Sequence, residues 1–207
     1  MAKLNSIADL RRVIPEPRPT TKVKILEALD EQSIDFLKRC PFALVSTTSP
    51  DGTIEVSPKG DEPGFIRVED SRTLLIPERV GNNLAFGLSN MIANGQIGMI
   101  CLVPATGETL RLSGTAEVFD DPDLVASLSS LGKPALLATR VKIKHCYFHC
   151  ARSIVRAGLW KPETWPAAGR ISFGKIIAPR MGQGEELADQ IDTGVAGAYK
   201  ERLWVNS

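Results

Sequence analysis

The sequence lacks an excess of charge of either sign. Its 207 residues carry 25 Lys and Arg against 24 Asp and Glu, a formal net charge of +1. A protein that attracts a polyanion through its overall field needs a strongly basic chain, so nucleic acid is not an expected partner. Phe, Trp and Tyr make up only 6% of the residues, which also argues against a stacking platform for bases. Any anion site must therefore be local.

The sequence also lacks a long apolar run. None approaches the ~20 residues of a membrane-spanning helix, and the longest, 97–103, has the length of a strand. The first residues contain no apolar core of the kind that secretory signals have. We therefore expect a cytoplasmic protein that does not bind membranes. Its four cysteines are expected to stay reduced in that compartment.

Potential metal ligands are concentrated in one short segment, which contains His145, Cys146, His149 and Cys150. On a strand the two histidines would face one way and the two cysteines the other, with successive same-face positions about 7 Å apart. No other group of Cys and His supplies partners. Buried thiols are therefore favoured over a metal site.

The apolar pattern changes along the chain from helical spacing to strand alternation. Residues 1–20 are broken by prolines and predict an N-terminal arm, and helices are predicted at 22–30, 33–39, 81–94, 121–131, 153–159 and 185–204. Strands are predicted at 41–48, 53–57, 73–76, 96–103, 109–118 and 141–149. Successive hairpins with few helices between them favour an antiparallel barrel over a doubly wound sheet. We expect one domain, 1–207, with a mainly β fold and peripheral helices.

The strand predicted at 96–103 is apolar on both of its faces. Such a strand is covered on both sides, and a second subunit is the simplest cover. On the next strand, Arg111 lies on the polar side, either as part of an ordinary polar face or near a subunit interface where a bound anion could pair with it. Arg152 and Arg156, on one face of a predicted helix, leave the same two interpretations open.

Two loops have the residue types of a ligand site. Arg79, Asn82 and Asn83 follow a predicted strand and precede a predicted helix. A guanidinium and helix-start N–H groups could hold a phosphate there, although a solvated arginine is the alternative. Residues 56–65 are rich in proline and glycine and leave backbone groups free. That segment suits either contact with a flat heterocycle or an ordinary surface loop.

Taken in order, these motifs resemble the pyridoxamine-5′-phosphate-oxidase-like flavoproteins, the FMN-binding split barrels, and within them a subgroup of FMN-dependent enzymes. The resemblance extends over roughly 20–165 and rests on the spacing of several short motifs, each weak alone. They read CPF at 40–42, SPKGD at 57–61, PGF at 63–65, LIPER at 75–79, GETLRL at 107–112 and HC at 149–150.

The resemblance implies a six-stranded split barrel that forms a homodimer, with FMN sites at the subunit interface. It assigns the FMN phosphate to Arg79, Asn82 and Asn83. The isoalloxazine ring would lie along Ser57, Pro58, Lys59, Gly60, Ile76 and Pro77. Further contacts would come from Arg111 and, across the interface, from Arg152, Arg156 and Trp160.

The function that the resemblance implies is an FMN-dependent oxidoreductase, with substrate and catalytic residues unspecified. Residues 160–170 do not match the substrate segment of the true oxidase, which argues against vitamin B6 as the substrate. Lys59 stands where the subgroup usually has arginine, so it lacks the fork for a bidentate contact. Lys59, or a backbone N–H at 59–60, is expected to stabilise negative charge on the reduced flavin. Two alternatives stay open: a flavin-binding carrier or redox sensor without turnover, and a split barrel that uses deazaflavin F420 or haem.

Overall fold

One antiparallel sheet of seven strands organises the computed structural model, which describes residues 3–203. The strands are β1 (Phe42–Thr48), β2 (Ile54–Gly60), β3 (Arg67–Asp70), β4 (Thr73–Glu78), β5 (Gln96–Leu102), β6 (Thr109–Phe119) and β7 (Leu137–His149). Their order across the sheet is β2-β1-β5-β6-β7-β4-β3, which leaves β2 and β3 at the edges. The mainly β fold is confirmed. The prediction of six strands was one short, because β3 has four residues and no apolar alternation.

Eight α-helices surround the sheet within the described residues. They are α1 (Ile7–Val13), α2 (Pro19–Lys22), α3 (Glu31–Lys38), α4 (Phe86–Asn94), α5 (Pro122–Ser127), α6 (Arg152–Ala157), α7 (Phe173–Ile177) and α8 (Glu185–Glu201). Short 3₁₀ helices occur at Pro162–Thr164 and Ala178–Met181. No helix within residues 3–203 is long and apolar enough to cross a membrane.

Several predicted bounds along the chain need correction. The arm expected at 1–20 contains α1 and the start of α2. Residues 22–30 are not one helix, because the backbone of Leu26 pairs with Cys146 of β7 in an isolated bridge. Helix α4 begins at Phe86 rather than at 81. Helix α8 ends at Glu201, and Trp204, the predicted last residue of that helix, lies outside the described residues.

The core lies on the inner face of the sheet. It is formed by side chains of β1, β4, β5, β6 and β7, closed by Phe36 and Leu37 of α3 and by Met91 of α4. The longest pairing, β6 with β7, changes register between Ser113 and Gly114. A Cβ on Gly114 would lie 1.9 Å from the carbonyl oxygen of Lys142, so only glycine allows the two strands to approach so closely.

The outer face of the sheet carries one row of side chains across five strands. The register places Pro58, Leu44, Ile100, Arg111 and Tyr147 side by side on β2, β1, β5, β6 and β7. Leu44 is 36% exposed and Ile100 is only half-buried. The second apolar face predicted for β5 is therefore present, and it stays partly uncovered in the single chain.

Candidate functional site

A cavity of about 690 Å³ opens between the β2 edge, the end of β4, the loop 79–85 and the start of α4. Eight of the thirteen residues predicted for the site line it: Ser57, Pro58, Lys59, Gly60, Pro77, Arg79, Asn82 and Asn83. They come from β2 and from a second, later segment that consists of the end of β4 and the loop after it. The structure therefore brings both predicted loop motifs to the same cavity.

Strand β2 turns its unpaired edge toward this cavity. Backbone bonds from Asp61 to Pro41 and from Ser49 to Thr53 fix the alternation of the β1–β2 ladder. The N–H groups of Ser57 and Lys59 therefore point to β1, whereas the N–H of Gly60 points away from it. Pro58, which has no N–H, also occupies an outward position, as expected for proline in an edge strand. Of the backbone donors predicted at 59–60, only that of Gly60 is free of the ladder.

Lys59 reaches across the cavity wall to Glu78. Its ammonium pairs with the carboxylate of Glu78 in a short contact, and the two side chains are 23% and 5% exposed. The other carboxylate oxygen of Glu78 accepts a hydrogen bond of 2.9 Å from the hydroxyl of Thr139 on β7. The Lys59 ammonium, which is expected to face a ligand, is thus held by a carboxylate that is itself anchored to β7.

Arg79 lines the cavity, and its guanidinium has partners within the chain. Its Nε lies 2.6 Å from Asp61, whose side chain is 1% exposed. Its other two nitrogens donate to backbone carbonyls, at 2.8 Å to Leu128 and at 3.5 Å to Lys133. These three bonds tie Arg79 to neighbouring segments of the chain and use three of its five N–H donors. That Arg79 also holds a phosphate stays a prediction.

The loop before α4 has a strained backbone. Asn83 has φ of 60° and Ala85 has φ of 53°, a left-handed conformation that costs non-glycine residues about 1–3 kcal/mol and concentrates at binding sites. Asn82 does not cap α4, and its side chain accepts from the N–H of Leu84 at 3.1 Å. The loop residues Asn82, Asn83 and Ala85 line the cavity, and the helix begins only after them, at Phe86.

The N-terminus of α4 opens into the cavity. Ala85, Phe86, Gly87 and Leu88 all line it, and among the described residues no side chain caps the helix or places an acid in its first turn. The first N–H groups of a helix have no partner within the helix, and they attract anions. The helix-start N–H groups predicted near 82–83 therefore lie at 86–88 in the structure.

Five predicted residues do not reach the cavity in this chain. The Ile76 side chain is 1% exposed and lies in the core. Arg111 stacks on the ring of Tyr147 at 5.5 Å on the outer face, and the indole N–H of Trp160 donates to the carbonyl of Thr106 at 2.7 Å. Arg152 and Arg156 are exposed on α6. The expectation that some of these residues act across a subunit interface stays a prediction.

The prediction missed several residues that line the cavity. Glu78 belongs to the motif LIPER and could have been noticed as the one acid within it, but it was given no role. Val45 and Thr47 could have been predicted to line the cavity, because both lie on the inward face of β1. Leu136 and Leu203 have no local signal, because only the tertiary fold brings them to the cavity.

The segment considered for a metal does not form a ligand cluster. Within residues 3–203, no group of three His, Cys, Asp or Glu side chains is placed to hold a metal ion. Cys146 is fully buried, and burial together with the nearby charge of Asp30 raises the pKa of its thiol. Cys150 is exposed.

The sequence profile of the pyridoxamine 5′-phosphate oxidase family matches residues 29–150, more than half of the chain. The chain belongs to this family. The family region contains all seven strands and α4, and every cavity residue except Leu203. The match ends at Cys150, before α6. No curated protein matches the chain.

Several solved structures are similar to part of the chain at low identity. HupZ of Group A Streptococcus is 16% identical, and the similarity covers 58% of this chain and 93% of that one with a TM-score of 0.47. A Clostridium acetobutylicum protein of the pyridoxinephosphate oxidase family, related to general stress protein 26, is 13% identical, with coverage of 59% and 91% and a TM-score of 0.45. The FAD binding protein of Mycobacterium smegmatis is 16% identical, with coverage of 60% and 97% and a TM-score of 0.42.

Proposed function

We propose that the protein binds FMN in the cavity beside β2 and acts as an FMN-dependent oxidoreductase. The observation that carries the proposal is the combination, in one cavity, of an uncapped helix N-terminus and an unpaired strand edge. The first suits a phosphate, and the second suits a flat ring with hydrogen-bonding groups on its rim. Membership of the pyridoxamine 5′-phosphate oxidase family supports this assignment.

The residues present fit the two ends of FMN. A volume of about 690 Å³ lies within the range of small-ligand pockets. The amides at 86–88 would hold the phosphate, with the strained loop 82–85 folded beside it. At the other end, the Gly60 N–H would donate to the ring, while Pro77 and Met91 supply apolar wall.

Bound FMN would supply electron or hydride transfer. The chain's own residues would orient the ring, limit water and place the Lys59 ammonium near it. Arg79 and Asp61 would fix the loop that carries Asn82 and Asn83. Vitamin B6 is not proposed as the substrate, because residues 160–170 do not match the substrate segment of the true oxidase.

We also propose that each chain forms a split barrel, which side chains close, and that two chains form a homodimer. In the homodimer, the second copy covers the outer row of the sheet. The row that contains Leu44 and Ile100 continues to Pro58, on the strand whose edge lines the cavity. A partner on this face would therefore lie next to the cavity. In that assembly Arg111 would lie at the interface, and Arg152, Arg156 and Trp160 would come from the partner.

The first experiment compares FMN with riboflavin. Purified protein should be yellow, release FMN on denaturation and show flavin absorption bands, and the stripped protein should bind FMN more tightly than riboflavin because only FMN has the phosphate. A haem spectrum, or no binding of added FMN, would overturn the proposal. Reduction of the bound flavin by NADH or NADPH, followed by turnover with an acceptor, would separate an oxidoreductase from a carrier.

A pair of variants at Gly87 tests the phosphate position. Gly87→Asp puts a carboxylate in the first turn of α4, where it would compete with the phosphate, and FMN affinity should fall about tenfold, or 1.4 kcal/mol. Gly87→Ala is the matched control, because a Cβ there meets nothing closer than 3.6 Å. Riboflavin affinity should be equal in both variants. An equal FMN affinity in both would place the phosphate elsewhere.

A further inference from the structure

Two side chains join parts of the sheet that the backbone leaves apart. Strands β2 and β4 are not neighbours in the sheet order, yet Lys59 of β2 and Glu78 of β4 form an ion pair. Both residues line the cavity. The contact between these strands at this point is therefore made by a charge pair rather than by a ladder of N–H and C=O groups.

Glu78 is the anchored member of the pair. It is the last residue of a strand whose six residues are all buried, and its carboxylate also accepts from Thr139, which is fully buried. Lys59 is the more exposed member, at 23% against 5%. A ligand in the cavity would therefore meet the ammonium, with the carboxylate behind it.

We infer that Glu78 is a positioning residue that holds the Lys59 ammonium in the cavity wall and balances its charge. An unpaired lysine side chain is long and samples many rotamers, and a buried carboxylate without a cation is costly. The ion pair thus restrains the Lys59 side chain and offsets the free-energy cost of burying the Glu78 carboxylate. The inference rests on the proposed function only in taking the ligand to be FMN.

This arrangement sets how the cavity responds to the charge of its ligand. With Glu78 present, the wall beside Lys59 is neutral overall. Without the carboxylate, the ammonium would be unbalanced and would favour a ligand with more negative charge. Reduced FMN can carry a negative charge on its ring, whereas the ring of oxidised FMN is neutral. Glu78 therefore lowers the preference of the cavity for reduced over oxidised FMN.

The flavin-bound test measures this preference. The ratio of the dissociation constants of oxidised and reduced FMN, obtained from the midpoint potentials of bound and free flavin, should rise about tenfold in Glu78→Gln, a change of 1.4 kcal/mol. Lys59→Gln should lower the ratio, and Lys59→Arg, which keeps the charge, should restore the wild-type value. Glu27→Gln is the control, because Glu27 pairs with Arg72 on the exposed surface. An unchanged ratio in Glu78→Gln would overturn the charge-balancing role.

A second measurement needs no flavin. Hydrogen exchange of the β2 amides that bond to β1, those of Ser57 and Lys59, should become faster in Glu78→Gln and in Lys59→Gln, and remain at the wild-type rate in Glu27→Gln. Thr139→Val, which removes the support behind Glu78 without changing a charge, should also accelerate exchange. Wild-type rates in these variants would overturn the positioning role. If FMN does not bind, the proposed function fails, and the exchange rates still decide whether Glu78 positions Lys59.

Discussion

The two cations that the motifs place at the cavity are paired crosswise. Lys59 and Asp61 belong to the motif at 57–61, and Glu78 and Arg79 belong to the motif at 75–79. Lys59 pairs with Glu78, and Arg79 pairs with Asp61. Each motif thus contributes one cation and one anion to the two ion pairs that join the motifs. Lys59 and Arg79 were predicted as site residues from the sequence, but their role in joining the two motifs was not.

The cysteines differ in their surroundings. Cys40, Cys101 and Cys146 are fully buried, whereas Cys150 is exposed. A hydrogen bond with Cys40, together with burial, raises the pKa of Cys101 well above its usual value. Burial also raises the pKa of Cys146. Because the thiolate is the reactive form, neither thiol is expected to react in the folded protein.

Thiol labelling tests this difference. One of the four cysteines should react with a soluble disulfide reagent in native protein at neutral pH, and all four should react in denaturant. In Cys150→Ser, no thiol should react until the protein unfolds. Rapid labelling of a second thiol in the native state would contradict the burial of the other three.

At the scale of elements, α3 shows a cap with a measurable pH dependence. The side chain of Asp30 accepts from the N–H of Ser33 at 2.8 Å at the start of the helix. Hydrogen bonds from the side chain and backbone of Ser33 lower the pKa of Asp30. Since the folded pKa lies below the unfolded one, the stabilisation is present above the unfolded pKa and is lost as the pH falls through the folded pKa.

Asp30→Ala should therefore destabilise the protein by about 1 kcal/mol at neutral pH, the usual cost of losing an N-cap. Urea unfolding at several pH values should show this difference shrinking as the pH falls below about 4, the usual pKa of an aspartate in an unfolded chain, toward the lowered pKa of folded Asp30. Asp30→Asn, which keeps a capping oxygen, is the control and should lose less. A difference that is constant from neutral to acid pH would exclude the ionised cap.

Elements with local signals were the ones that the sequence could predict. The β1–β2 hairpin follows from the turn residues at 49–52, and the end of α4 follows from Gly95, which has φ of 68°. The predicted start of α4 was five residues too early. Asn82 and Asn83 are residue types that often begin helices, but here they lie in the loop that lines the cavity. The segment at 22–30 was misassigned because Leu26 pairs with β7, a contact that no local pattern reveals.

At the scale of the whole molecule, the outer face of the sheet has the composition of an interface. Phe42, Leu44, Ile54 and Val56 lie on this face and are between 36% and 66% exposed. Apolar groups this close together on an exposed surface commonly mark a contact with another protein. The row that ends in Arg111 and Tyr147 adds polar groups at one side of the patch.

We therefore expect a dimer in solution that Leu44→Arg converts to monomer, because the new charge would be buried in the interface without a partner. Sedimentation velocity at several concentrations is the measurement. Ile92→Arg, at a position 75% exposed on α4, is the control and should remain dimeric. A wild-type protein that sediments as a monomer at all concentrations would rule out this interface.

The proline in β2 has a consequence for how the molecule behaves among its own copies. An unpaired strand edge invites another strand to extend the sheet, which is how many β proteins aggregate. Pro58 sits in the middle of that edge and has no N–H to offer an incoming strand. The edge is thus open to a small molecule that needs only a few hydrogen bonds, and closed to a polypeptide that needs an unbroken row of them.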